Sequence, residues 1–185
     1  MISVREVITL AAKALGRDDL CGAINAAGSQ PSGEVASLLH CFNMVENEIA
    51  LDYFPLKHTE TFSTVEGGVL YQRFSKSPIS IISVCSETGE ELSYELRADK
   101  LVLSASAARV VITYSYIPTT KTMSGVSDFT MKVSARLMAY GVACEFCLTS
   151  GKFQEAAMWE SKYKDALRAA GILRKTLRTR SRAWV

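Results

Sequence analysis

The sequence predicts an α+β fold: an antiparallel helical bundle with an inserted antiparallel β-module and an extended C-terminal arm. Three observations carry that prediction. Residues 3–54 and 127–170 repeat apolar side chains at three- and four-residue steps, the period of a helix with one buried face. Residues from about 56 to 118 alternate instead and are rich in Thr, Val, Ile and Tyr. Residues 171–185 carry five bases and no acid. Blocks of helix, strand and helix, rather than a helix after every strand, argue for α+β. The plan is one domain over residues 1–170 and a basic arm over 171–185.

At 185 residues the chain can bury a core without metals or disulfides. Its apolar and charged fractions, 48% and 22%, are those of a soluble globular protein. The net charge is +2, and setting aside the five bases of the arm leaves −3 on the rest. The apolar run at Val7–Ala12 is too short for a secretory signal and has no cleavage-type segment after it. No stretch is long and apolar enough to span a bilayer, so no membrane partner is expected. Five cysteines with no signal sequence read as reduced thiols in a cytosolic-type compartment.

Ser3 and Glu6 fit a capping box, with Val4, Val7, Ile8, Ala11 and Leu15 behind it and Gly16 as the stop. Asp18 to Ala26 reads as a short second helix closed by Gly28, and 28–33 as a loop. A long helix runs from about Gly33 to Phe54. Its apolar face includes Val35, Leu38, Phe42, Val45 and Ile49, and Pro55 ends it. Leu56–Val65 reads as a strand. Gly67-Gly68 turns the chain so that Val69–Phe74 can pair back. Ile79–Cys85 and Glu91–Leu96 form a hairpin across a polar turn, and Lys100–Ser104 and Arg109–Ile117 a second one. In the last strand Val110, Ile112, Tyr114 and Tyr116 share one face. Thr119–Val126 is a flexible return.

The stretch Ser127–Gly171 organises the helical part. The first helix, capped by Ser127, has one apolar row through Val133, Leu137, Gly141 and Cys144 and another through Met131, Met138, Val142 and Phe146. Apolar on most sides, it belongs at the centre. Gly151 stops it, and a second helix from about Phe153 to Ala170 folds back antiparallel with Ala156, Trp159, Tyr163 and Leu167 inward.

Chemistry is sparse. Cys144 and Cys147 form C-x-x-C, but deep in an apolar helix, where burial raises a thiol pKa. No second ligand pair completes a zinc site, so core packing is the stronger reading. His40 and His58 lie apart, without a Ser–Asp pattern beside them. Asp18-Asp19 and Glu90-Glu91 suit a helix start and a turn. Gly67-Gly68 lacks the Lys-Ser/Thr of a phosphate loop. Trp159 and Tyr163, one turn apart, read as core. The expectation is no catalytic residue, no metal and no cofactor. The arm is the exception. Arg174, Lys175, Arg178, Arg180 and Arg182 can meet phosphates or acidic groups, and Trp184 can fill a partner pocket. A solvated tail is the plain alternative.

The order of elements resembles the head–tail connector or adaptor proteins of tailed bacteriophages, including the tail-tubular-protein-A type of short-tailed phages. The likeness is carried by the long helix ending at Asp52-Tyr53-Phe54-Pro55, by the strands at 78–84 and 110–118, and by Leu92-Ser93-Tyr94. The last helix adds Glu155-Ala156-Ala157-Met158-Trp159 and Tyr163-Lys164-Asp165-Ala166-Leu167. The resemblance implies a structural virion protein of the neck, made in the host cytoplasm. It implies a homo-oligomeric ring of twelve copies beneath the portal protein, with a tail or nozzle protein below. It implies that DNA passes through the channel without sequence-specific binding. It also implies that the arm, through Arg174, Lys175, Arg178, Arg180, Arg182 and Trp184, reaches the portal. Two other classes stay open: a nucleic-acid-binding module using the basic arm, and, remotely, a thiol enzyme using Cys144 and Cys147.

Overall fold

The computed structural model describes residues 1–28, 31, 33–104 and 107–172. The fold is α+β, and the described residues form five α-helices and two small antiparallel sheets. The chain divides into two compact units. One is Asn47–Thr120; the other combines the residues before and after it. None of the described helices is long and apolar enough to cross a membrane.

The helical unit is built from α1 (Val4–Ala14), α2 (Asp19–Ala26), α3 (Gly33–Glu48), α4 (Ala135–Thr149) and α5 (Phe153–Ala169). Three helices end as their glycines predict. Gly16, Gly151 and Gly171 lie at φ of 69°, 72° and 66°. In each case the next N–H reaches back five residues, as Lys152 to the Cys147 carbonyl at 2.8 Å and Ile172 to the Leu167 carbonyl at 3.0 Å. α4 takes the central place. Leu137, Met138, Val142, Cys144, Phe146 and Cys147 are all buried. At Gly141 a Cβ would stand 2.7 Å from Val45 Cγ1 of α3 and 3.2 Å from Tyr163 Cε2 of α5. Glycine is thus what lets three helices meet at one point. Arg5 of α1 closes the end of α2 by donating to the carbonyls of Ile24, Asn25 and Ala27.

Three expectations fail here. α4 begins at Ala135, not Ser127. Lys132 adopts φ 63°, which no helix continues through. Ser134 is the cap, accepting from Leu137 N–H at 3.1 Å, whereas Ser127 accepts from Phe129 N–H at 3.2 Å in a tight local turn. Second, the Ser3 side chain makes no capping bond. The Val4 N–H instead donates to the Gly125 carbonyl at 3.1 Å, and Ser127 N–H to the Ile2 carbonyl at 2.9 Å. Third, the return after Thr119 is anchored rather than flexible. Met123 is fully buried, Lys121 N–H donates to Asn43 Oδ1 at 2.6 Å, and Lys121 Nζ pairs with Asp128 at 2.7 Å. Buried Glu46 accepts from Asp128 N–H at 2.9 Å.

The β-unit opens with a π-type turn over Ile49–Tyr53, where Phe54 N–H bonds the Ile49 carbonyl at 2.6 Å. Its strands are β1 (Leu56–Ser63), β2 (Gly68–Leu70), β3 (Pro78–Ser86), β4 (Tyr94–Leu96), β5 (Lys100–Leu103) and β6 (Arg109–Tyr116). One sheet has the order β1-β6-β3 and the other β2-β5-β4. Phe62, Val84, Val110, Ile112 and Tyr114 of the first sheet share a core with Val69, Leu101 and Leu103 of the second. The buried face of β6 is the one its alternation predicts.

The strand positions match the sequence reading, and the pairings differ. β5 and β6 do not form a hairpin, because β1 and β3 occupy both hydrogen-bonding edges of β6. β3 makes its turn, with Ser86 N–H donating to the Glu90 carbonyl at 2.8 Å, but β4 then leaves to pair with β5. Val69–Phe74 does not return along β1. β2 pairs with β5, and Tyr71–Arg73 is a short 3₁₀ turn. Gly68 decides that contact: a Cβ there would lie 2.6 Å from the Leu101 carbonyl oxygen.

Candidate functional site

The arm residues expected to dock, Arg174, Lys175, Arg178, Arg180, Arg182 and Trp184, lie outside the described residues. Their point of departure is fixed. Ile172 is buried, and its N–H closes the end of α5 on Leu167. Ala169, the last residue of α5, and Ala170 after it line a groove of about 470 Å³ against the start of α4.

The sides of this groove come from ordinary helix geometry. Arg136 and Tyr140 are four residues apart on α4, so they share a face, and Arg136 Nε donates to Tyr140 Oη at 2.6 Å. The Tyr140 ring stacks on Trp159 of α5 with centroids 5.8 Å apart. Lys162, one turn beyond Trp159, places Nζ 4.2 Å over the indole. Leu137, Ala166, Ala169 and Ala170 give an apolar floor, and Lys132, Arg136 and Lys162 give a cationic rim. The lining carboxylate, Asp165, is paired with Arg168 at 2.6 Å. Chemically the site suits an anionic partner with an apolar side chain. Sequence reasoning did not bring these bases together. The spacing Arg136–Tyr140 was visible, but the juxtaposition with Lys162 needs the packing of α4 on α5.

Charge is divided between the units. Asn47–Thr120 holds nine carboxylates against six bases, while residues 1–46 and 121–172 balance. The β-unit is therefore the acidic part of the chain at −3. Its acids concentrate at Glu87, Glu90, Glu91 and Glu95, all exposed.

One cluster in the β-unit brings a serine, a histidine and a carboxylate together. Ser75 Oγ donates to Glu60 Oε1, the oxygen that His58 Nε2 meets at 3.1 Å, and Tyr114 Oη donates to Oε2 at 3.1 Å. Burial alone would raise Glu60, but the bonds from Ser75 and Tyr114 outweigh it and hold the carboxyl below its usual range. Serine and histidine both bind the carboxylate rather than each other. This is a satisfied acid, not a hydroxyl activated by an imidazole.

Cys41, Cys144 and Cys147 sit as core residues, while Cys21 and Cys85 are half-buried. Cys144 Sγ points to the Ala156 carbonyl at 3.5 Å and Cys147 Sγ to Glu155 at 3.9 Å, beside Trp159. Burial and then Glu155 push the Cys147 thiol up, and burial pushes Cys41 to about 11. Among the described residues no three metal-type side chains converge. Compared with known proteins, the chain matches no family model and no curated protein.

Proposed function

We propose that this chain is a structural virion protein, a ring-forming adaptor between the portal and the tail of a tailed bacteriophage. In this reading it extends the DNA channel and gives the tail its platform. The observation that supports it most is the division of charge and fold: an acidic β-unit, and a helical unit with a basic groove, followed in sequence by five further bases. A ring needs two different, complementary faces on each subunit. The order of elements that resembles the adaptor proteins adds to this. Residues 173–185 then reach the portal, with the arginines on its acidic groups and Trp184 in a pocket.

Electron microscopy of the purified protein, alone and mixed with portal complexes from the same source, tests the proposal. The expected result is rings, or a layer added beneath the portal. A protein that stays monomeric alone and ignores the portal overturns it. A second reading has a specific observation in its favour, five bases over 173–185 that follow in sequence the helix lining an already cationic groove: the arm neutralises nucleic-acid phosphates. DNA affinity that falls steeply with salt, and that deletion of 176–185 abolishes, would support that reading.

A further inference from the structure

The groove between α4 and α5 calls for an occupant of defined chemistry. Its rim is cationic through Lys132, Arg136 and Lys162, and its floor is apolar. The guanidinium of Arg136 is held by Tyr140 through Nε, which leaves the N–H groups of its two Nη atoms to approach a carboxylate end-on. An extended segment with several carboxylates and one or two apolar side chains would match rim and floor together.

The segment that follows the groove, 173–185, fails that description, since it is itself cationic. A nucleic-acid backbone would match the rim but leave the apolar floor uncovered. The chain contains one stretch that fits both. Glu87–Leu96 carries Glu87, Glu90, Glu91 and Glu95 with no base among its ten residues, and ends on Leu96, 55% exposed. Arg109 and Arg97 approach Glu87 and Glu95 at 3.4 and 3.5 Å, but those pairs are exposed and readily exchanged for better ones. β4 within this stretch is an outer strand of its sheet.

We infer that the α4/α5 groove of one copy receives the acidic Glu87–Leu96 edge of the next copy. The two surfaces differ, so the contact is head-to-tail and each copy uses both. This inference rests on the ring reading and names the contact that builds the ring.

The test uses the full chain and two charge reversals, R136E/K162E in the groove and E91K/E95K on the acidic edge. All four side chains are exposed, and circular dichroism with tryptophan fluorescence checks that both variants fold. Assembly is followed by sedimentation velocity and electron microscopy, with and without portal complexes. Each variant alone should lose about tenfold or more in assembly affinity, because groove and edge then carry the same sign. An equimolar mixture should recover assembly, since copies alternating around the ring again pair opposite charges at every contact. Folded variants that assemble like the wild type, or a mixture that recovers nothing, overturn the inference while wild-type rings leave the adaptor reading standing. A wild-type protein that forms no assembly alone or on the portal overturns both.

Discussion

Replacing Gly141 by alanine sets two effects of known size against each other. In a helix interior alanine is favoured over glycine by about 1 kcal/mol. The new Cβ, however, would lie 2.7 and 3.1 Å from the two methyls of Val45 and 3.2 Å from Tyr163 Cε2. Carbon atoms in contact prefer about 3.5–4.0 Å, so α3 or the Val45 side chain must give way by most of an ångström. Val45 is fully buried and β-branched, with little rotamer freedom to spend. Overpacking of this kind costs about 1–3 kcal/mol, so the net should be a loss of about 1 kcal/mol, or roughly 2–4 °C in Tm for a chain of this length. Urea unfolding followed by circular dichroism measures it. Val45→Ala removes the two closest contacts and should cost about 2 kcal/mol by itself. The double variant should be more stable than the sum of the singles by about 1 kcal/mol. If Gly141→Ala stabilises by the full helix preference and adds simply to Val45→Ala, the three helices do not close on this glycine and the reasoning is wrong.

Glu46 gives a pH prediction. Burial raises its carboxyl, against the bonds from Ser127 and Asp128. The folded state thus keeps a proton that the unfolded chain has released, and this contribution to stability falls as pH rises from the ordinary carboxylate value through the raised one. E46Q retains an oxygen for the Asp128 N–H and cannot ionise. It should gain stability relative to wild type across that window in urea titrations from about pH 4 to about pH 8, and a flat or opposite difference would refute this. Ser134→Ala should cost about 1 kcal/mol by removing the cap on Leu137 N–H, while Ser3→Ala, whose side chain makes no capping bond, should change little. Equal losses at the two sites would mean that the start of α4 is misplaced. Finally, Cys41, Cys144 and Cys147 should react slowly with a thiol reagent near neutral pH in the folded protein and quickly in denaturant. Fast labelling of these three in the native state would contradict their place in the core.

Local chemistry was legible in the sequence, and long-range pairing was not. Gly16, Gly151 and Gly171 marked helix ends because a left-handed residue there is a demand that glycine meets at no steric cost. The stripe Ala156, Trp159, Tyr163 and Leu167 was readable because a helix buries one face, and all four are buried. The start of α4 was misread for a physical reason. Phe129 and Val133 are buried from irregular backbone, so apolar spacing ran on past the true cap. Both Ser127 and Ser134 bind a following N–H, and only the geometry tells a turn from a helix start. Strand partners were misassigned because spacing alone does not say which neighbour a strand takes: β5 pairs with β4 before it and with distant β2, and β6 with β1 and β3. The groove was invisible for the same kind of reason. Lys132 and Arg136 lie some thirty residues before Lys162, and only the fold of α5 on α4 brings them to one rim.

The pairing order of the β-unit also sets when it can form. β1 finds its partner only in β6, the last strand of the unit, and β2 waits for β5. A chain made from its N-terminus therefore carries β1 unpartnered until residues 109–116 have emerged, although the β4–β5 hairpin can form before then. Closure of the loop between them is the slow, entropic step, and it joins β1, β6 and β3 almost at once. In a refolding experiment with pulsed hydrogen exchange, the amides of β1 and β6 should gain protection together. β1 amides protected well before β6 would show that the first sheet has another way to begin.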